Sequence, residues 1–211
     1  MRKCRIQADC VTPFHTLQRT QSPMIESVDQ QYTVSDEWGD LKGARFDACT
    51  FHGVNWSEKD LRGARFENCT WVDCDLSNIR TLGLGLQIVR FEACKLVGVN
   101  FSLCNELGLN IHFEGCILDA ANFEGADLRQ VSWNGGRARE VDFTGANCEK
   151  VVFEGLDLAG ASFERTRLER ADFRTATGWR IQPDQNRIRH AKFRRDQLEG
   201  LLMGWELDLD E

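Results

Sequence analysis

Large apolar residues recur at every fifth position along most of this chain. The first run is Leu41, Phe46, Phe51, Trp56, Leu61, Phe66, Trp71 and Leu76. Thr81 is a weak member, and the series resumes at Leu86, Phe91, Leu96 and Phe101. It restarts two residues out of register at Phe113 and continues through Leu118, Phe123, Leu128, Trp133, Ala138, Phe143, Cys148, Phe153, Leu158, Phe163, Leu168 and Phe173. A period of five matches neither the 3.6 of a helix nor the 2.0 of a strand. It predicts a solenoid wound from very short repeats.

Each unit reads small-apolar, polar, large-apolar, polar, and then often glycine, as in Ala126-Asp127-Leu128-Arg129 and Ala171-Asp172-Phe173-Arg174. Residues two apart on extended backbone face the same way, so the small and large apolar positions point inward together. The last two residues of the unit must turn a corner, where glycine is the easiest choice. The domain reading is a non-repeat segment over 1–37, a repeat solenoid over 38–175 with a break at 102–112, and a C-terminal segment over 176–211. Tyr32, Val34 and Trp38 are placed to begin the first coil.

Composition refines this picture more by exclusion than by suggestion. The formal charge of -7 argues against direct binding of nucleic acid phosphates and suits a basic partner surface. No apolar run is long enough for a membrane span, and the start of the chain lacks a secretory pattern, so cytoplasmic residence is expected. Cys49, Cys69, Cys74, Cys94 and Cys116 occupy the slot that Ala or Val fills in other units. They read as small buried hydrophobes rather than as a disulfide or metal framework. The histidines His15, His52, His112 and His190 have no ligand partner at a metal-binding spacing, and no nucleophile–base pair stands out. No enzyme activity, no metal and no cofactor are expected.

The departures from the period are the distinctive parts. Between Phe101 and Phe113 two units would take ten residues and twelve are present, so the excess should bulge as a small loop. Loops on rigid scaffolds often carry function, which makes Asn105, Glu106 and Asn110 candidate partner-binding residues. Outward carboxylates add Glu114 and Glu154 in one column and Glu124 and Glu164 in another. The stretch from Thr81 to Leu86 lacks polar outward residues and should form a small apolar surface patch. After Phe173, Asp196 is placed to cap a short helix carrying Leu198, Leu201 and Leu202. Trp205, Leu207 and Leu209 then alternate with acids as a strand would. These six apolar residues are expected to cap the core and to form a two-fold dimer interface.

The units resemble the A(D/N)LXX pattern of the pentapeptide-repeat family. That resemblance implies an all-β solenoid, a right-handed quadrilateral β-helix with a short C-terminal helix and strand, in which four units make a turn. Residues twenty apart then stack, which sets Phe113, Trp133, Phe153 and Phe173 opposite Phe123, Phe143 and Phe163, over about six and a half turns. Val89 to Phe101, Phe113 to Leu118 and the tail from Asn186 to Leu209 are most similar to the topoisomerase-protecting members, which include the quinolone-resistance, microcin-immunity and albicidin-resistance proteins. That likeness implies a homodimeric, non-enzymatic DNA mimic that binds DNA gyrase or a related type II topoisomerase and shields it from poisons. The repeat region holds 21 acidic and 16 basic residues, a modest surplus for such a mimic. The alternative is an interaction scaffold for another protein partner.

Overall fold

The structure is a computed structural model and describes residues 25–105 and 109–202. The chain winds as a parallel β-solenoid of about six turns, with little helix. Four inward columns follow from the five-residue period. The first face carries Leu41, Leu61, Thr81, Phe101, Phe123, Phe143 and Phe163. The second carries Phe46, Phe66, Leu86, Leu128, Cys148 and Leu168. The third carries Phe51, Trp71, Phe91, Phe113, Trp133, Phe153 and Phe173, and the fourth Trp56, Leu76, Leu96, Leu118, Ala138 and Leu158. Apart from Thr81, all of these are buried hydrophobic residues of one continuous core.

Two faces form regular sheets. On the second face β1 (Glu26–Val28), β3 (Arg45–Asp47), β5 (Arg65–Glu67) and β7 (Gly85–Gln87) pair in that order. On the third face the order is β2 (Gln31–Tyr32), β4 (Thr50–His52), β6 (Thr70–Val72), β8 (Val89–Glu92), β9 (Ile111–Glu114), β10 (Ser132–Asn134) and β11 (Phe153–Glu154). Every pairing is parallel. Elsewhere single bridges such as Asn122↔Asp142 and Asn147↔Arg167 carry the ladder.

The repeat motif has a direct local explanation. Where Asp or Asn precedes an inward residue, as at Asn55, Asn122 and Asp142, its side chain folds back onto the backbone two residues on. Asn55 accepts from the Ser57 amide at 2.9 Å, Asn122 from Glu124 at 2.8 Å and Asp142 from Thr144 at 2.8 Å. These Asx turns hold the chain in the bend that a four-sided coil needs. The corner residue then takes positive φ at twelve consecutive units, from Gly43 to Gly98. Glycine fills only some of them; Ala48, Glu58, Asn68 and even the β-branched Ile88 (φ 54°) adopt the same left-handed backbone.

The third column is a stack of rings. Tyr32, Phe51, Trp71, Phe91, Phe113, Trp133, Phe153, Phe173 and Phe193 lie face to face, with centroids 4.6–6.2 Å apart. In the C-terminal half the first-face rings meet it edge-on, Phe123 against Trp133 at 5.7 Å and Phe143 against Phe153 at 5.8 Å. Stacked and edge-to-face geometries both suit the ring quadrupole. In the N-terminal half the second aromatic column lies instead on the adjacent face, where Phe46 stacks on Phe66 at 5.0 Å.

Among the described residues the cysteines are free, all of them buried except the half-buried Cys104. They also do more than fill space. The Cys74 thiol points to the Phe51 carbonyl at 3.3 Å, and Thr166 in the same slot donates to Phe143 O at 2.9 Å. Burial pushes the Cys69 thiol up to about 12, which leaves it protonated and unreactive.

Pairing extends beyond the limits read from the period. Ser27 pairs with Phe46 and Tyr32 with Phe51, so the ladder already includes Glu26–Tyr32. At the other end Arg167↔Arg187 and Asp172↔Lys192 continue it past Phe173. The expected helix is present as a 3₁₀ turn, Arg195–Gln197, followed by α1 (Glu199–Leu202). Asp196 does not cap it: it lies inside the turn, and its carboxylate is bonded to the Arg194 guanidinium at 2.5 Å. Leu201 packs against the core and Leu198 is 40% exposed. Trp205, Leu207 and Leu209 lie outside the described residues. Among the described residues no helix is long and apolar enough to cross a membrane.

Candidate functional site

The break is confined to a few residues of the second face. The ladder holds as far as Asn105, whose amide donates to Leu84 O at 2.8 Å, and resumes when the Asn110 amide reaches Leu86 O at 3.4 Å. Leu109 returns to the core, 5% exposed. From there Val89↔Ile111 and Phe91↔Phe113 pair as if nothing had intervened. The two extra residues therefore lengthen one turn and leave the columns in register. Glu106 lies outside the described residues.

The apolar patch expected at Thr81–Leu86 is smaller than the sequence implies. Thr81 is buried and donates to Asn100 O at 2.5 Å, while Leu84 and Leu86 point inward. Only Leu82 projects, 58% exposed, and Leu103 one turn later is 46% exposed.

The candidate residues separate into two groups. Asn105 and Glu124 meet beside the break, lining a cavity of about 260 Å³ with Ser102, Cys104 and Asp127. Glu164 lies two turns beyond Glu124 on the same first face. Glu114 and Glu154 follow Phe113 and Phe153 on the third face, joined through Asn134. The first and third faces are opposite sides of the coil, so the four glutamates do not converge on one patch.

Their electrostatic states differ as well. The Glu114 carboxylate accepts from the Arg90 guanidinium at 3.0 Å and lies 3.7 Å from His112 Nε2. Glu124, Glu154 and Glu164 are exposed and make no ion pair among the described residues. On the first face Asp184, twenty residues after Glu164, is likewise exposed and makes no ion pair among the described residues, whereas Asp142 precedes Phe143, is half-buried and accepts from the Thr144 amide at 2.8 Å. Many other carboxylates are neutralised in place. Asp60, Asp127 and Asp172 each hold the arginine two residues on in a two-pronged contact, Arg62, Arg129 and Arg174, at 2.6–2.7 Å. Such Asp-x-Arg pairs were readable as local spacing but not as charge cancellation. In each the hydrogen bond from the arginine holds the aspartate below its ordinary range, to about 2 at Asp172.

Among the described residues no group of three His, Cys, Asp or Glu side chains is placed to hold a metal ion. The interior is packed with side chains, and the cavities lie on the surface.

A coil of this kind defines a class, the parallel β-solenoids built from five-residue units. Residues 84–163 match the family model described as the pentapeptide repeat region. No curated protein matches the chain. Among solved structures, a trypsin-treated variant of QnrB1, a plasmid-mediated fluoroquinolone resistance protein, is similar at 15% identity. That alignment covers 89% of this chain and 98% of that one, with a TM-score of 0.41. HetL of the cyanobacterium Nostoc sp. strain PCC 7120, a pentapeptide repeat protein involved in heterocyst differentiation regulation, is similar at 19% identity, covering 80% and 82% with a TM-score of 0.42. A pentapeptide repeat protein of the Arabidopsis thaliana thylakoid lumen is similar at 19% identity, covering 71% and 78% with a TM-score of 0.18.

Proposed function

We propose that this chain is a non-enzymatic DNA mimic that docks on the DNA-binding surface of DNA gyrase or a related type II topoisomerase and protects it from poisons. One observation carries the reading. The first face of the C-terminal half presents Glu124, Glu164 and Asp184, exposed and without an ion pair among the described residues. Carboxylates already matched by arginine have little left to offer a basic partner, whereas unpaired ones aligned along a rigid edge can meet the Lys and Arg that otherwise hold phosphates. The likeness of the tail to topoisomerase-protecting proteins points the same way. Rod stiffness supports it too, since a packed core keeps the charges at fixed spacing. A dimer through Leu198, Leu201, Leu202, Trp205, Leu207 and Leu209 doubles the length of rod available to the partner.

The test is a gyrase supercoiling assay with and without a quinolone or an albicidin-type poison. Protection is expected, and the double substitution Glu124→Lys with Glu164→Lys should abolish it without changing the melting temperature. No protection and no inhibition at micromolar protein would overturn the reading.

A further inference from the structure

Chain-wide charge conceals a strong local reversal. Residues 165–195 hold nine arginines, one lysine and three carboxylates, a formal +7 inside a chain of -7. The fold gathers much of this on the second face of the last turns. Arg167 and Arg187 pair as neighbours on successive turns. The Arg170 amide donates to Arg189 O at 3.0 Å, which sets those two residues in adjacent turns. Arg165, Arg170 and His190 stand on left-handed corners, φ 51°, 62° and 61°, at the edges of the same face. All five arginines are exposed. Of these five, Arg167 alone is ion-paired among the described residues, with Glu149 at 3.5 Å and Glu169 at 4.0 Å. Arg165, Arg170, Arg187 and Arg189 form no ion pair among the described residues.

The corners matter to the geometry. A residue at a corner projects from the edge of the coil, so Arg165 and Arg170 flank Arg187 and Arg189 rather than stacking over them. A shallow cavity of about 350 Å³ lies between Arg170, Arg189, His190, Glu149 and Glu169. The helix α1 packs elsewhere: Ile181 N bonds to Gly200 O at 3.0 Å, and the cavity under that helix is lined by Trp179 and Arg180. The arginine face is therefore left uncovered by the C-terminal segment described.

Unpaired guanidinium groups on turns about 4.8 Å apart repel one another and raise the local positive potential. The ligand that fits must bring closely spaced negative charge. A nucleic acid strand carries a phosphate about every 3.4 Å of its rise, dense enough to meet cations on neighbouring turns. The guanidinium fork also matches two phosphate oxygens at once. We propose that this face binds the phosphate backbone of a nucleic acid, without regard to base sequence, through roughly three phosphates.

This goes beyond docking on a topoisomerase, and it is tested without one. Fluorescence anisotropy of a labelled DNA duplex is titrated with the full chain at several salt concentrations. Saturable binding is expected, weakening with salt at a log–log slope of about -3. Arg187→Glu with Arg189→Glu should weaken it by tenfold or more. Arg165→Gly with Arg170→Gly, which suits the left-handed corners, should weaken it by a similar factor and guards against misfolding of the first variant. Glu124→Gln with Glu164→Gln should leave it intact or tighten it. Absence of binding at low salt, a salt slope near zero, or competition by polyglutamate equal to that by unlabelled duplex would each overturn the proposal. The last result would assign the face to an acidic protein instead.

Discussion

Phe91 stacks on Phe113 with centroids 5.5 Å apart and an interplanar angle of 13°, although twenty-two residues separate them instead of twenty. The ring column runs through the break undisturbed because the surplus leaves from the second face, between Asn105 and Asn110, before the third face begins. Each turn contacts only its neighbours, so a local surplus changes one turn and nothing further along.

Removing a ring from the middle of such a column should be costly. Phe143 is fully buried between Phe123 at 5.6 Å and Phe163 at 5.0 Å. Phe143→Ala should lose about 3–5 kcal/mol of stability in denaturant unfolding. A variant that unfolds with the wild type would contradict the packed-column account.

Gly136 stands where other units hold Ala, Val or Cys. Its φ is 99°, and a Cβ there would lie 2.4 Å from Cys116 O. Gly136→Ala should cost about 3 kcal/mol, because backbone rather than a movable side chain must give way. Gly125→Ala is the control: φ is 66° and a Cβ meets nothing within 4 Å. It should cost only the left-handed penalty, about 1–2 kcal/mol.

Ile88 illustrates the opposite case. It holds φ 54° with a β-branched side chain that is 62% exposed. Asparagine tolerates that backbone far better, and Asn68 already occupies the same corner one turn earlier. Ile88→Asn should raise stability by about 0.5–1 kcal/mol, read as a shift in the denaturation midpoint with unchanged slope.

Acid should weaken the C-terminal turns in a defined window. Asp172 accepts from Arg174 at 2.7 Å, faces Lys192 at 3.4 Å, and has a side chain only 9% exposed. Those contacts, the Arg174 hydrogen bond foremost, hold its carboxyl at about 2 in place of 3.8. A depressed folded value stabilises above the unfolded one, so the contribution of about 2 kcal/mol is complete above roughly pH 4 and lost as pH falls through about 2. Asp172→Asn should be less stable than wild type at pH 7, with the difference closing by pH 2 in urea melts.

The period of five was enough to place nearly every core side chain, because each unit repeats the same inward pair. Three things escaped it. The first rung was hidden because Ser27, a polar residue, takes the inward position opposite Phe46. The neutralisation of Glu114 was hidden because its partner, Arg90, is twenty-four residues away, across the one turn of unusual length. The arginine face was hidden by averaging, since an acidic surplus over 38–175 says nothing of how charge divides among four faces. The candidate glutamates were legible as outward residues, but which of them remain unpaired depends on side-chain reach between turns.

The Asx turns recur in every part of the coil, and each closes within its own five residues. A whole turn can therefore be inserted or removed, between Phe123 and Phe143 for example, with every remaining residue keeping its local bonds and its column. Length is then adjustable in steps of about 4.8 Å, independently of the chemistry on any face. A protein built this way is a ruler whose graduations can be added before its markings are changed.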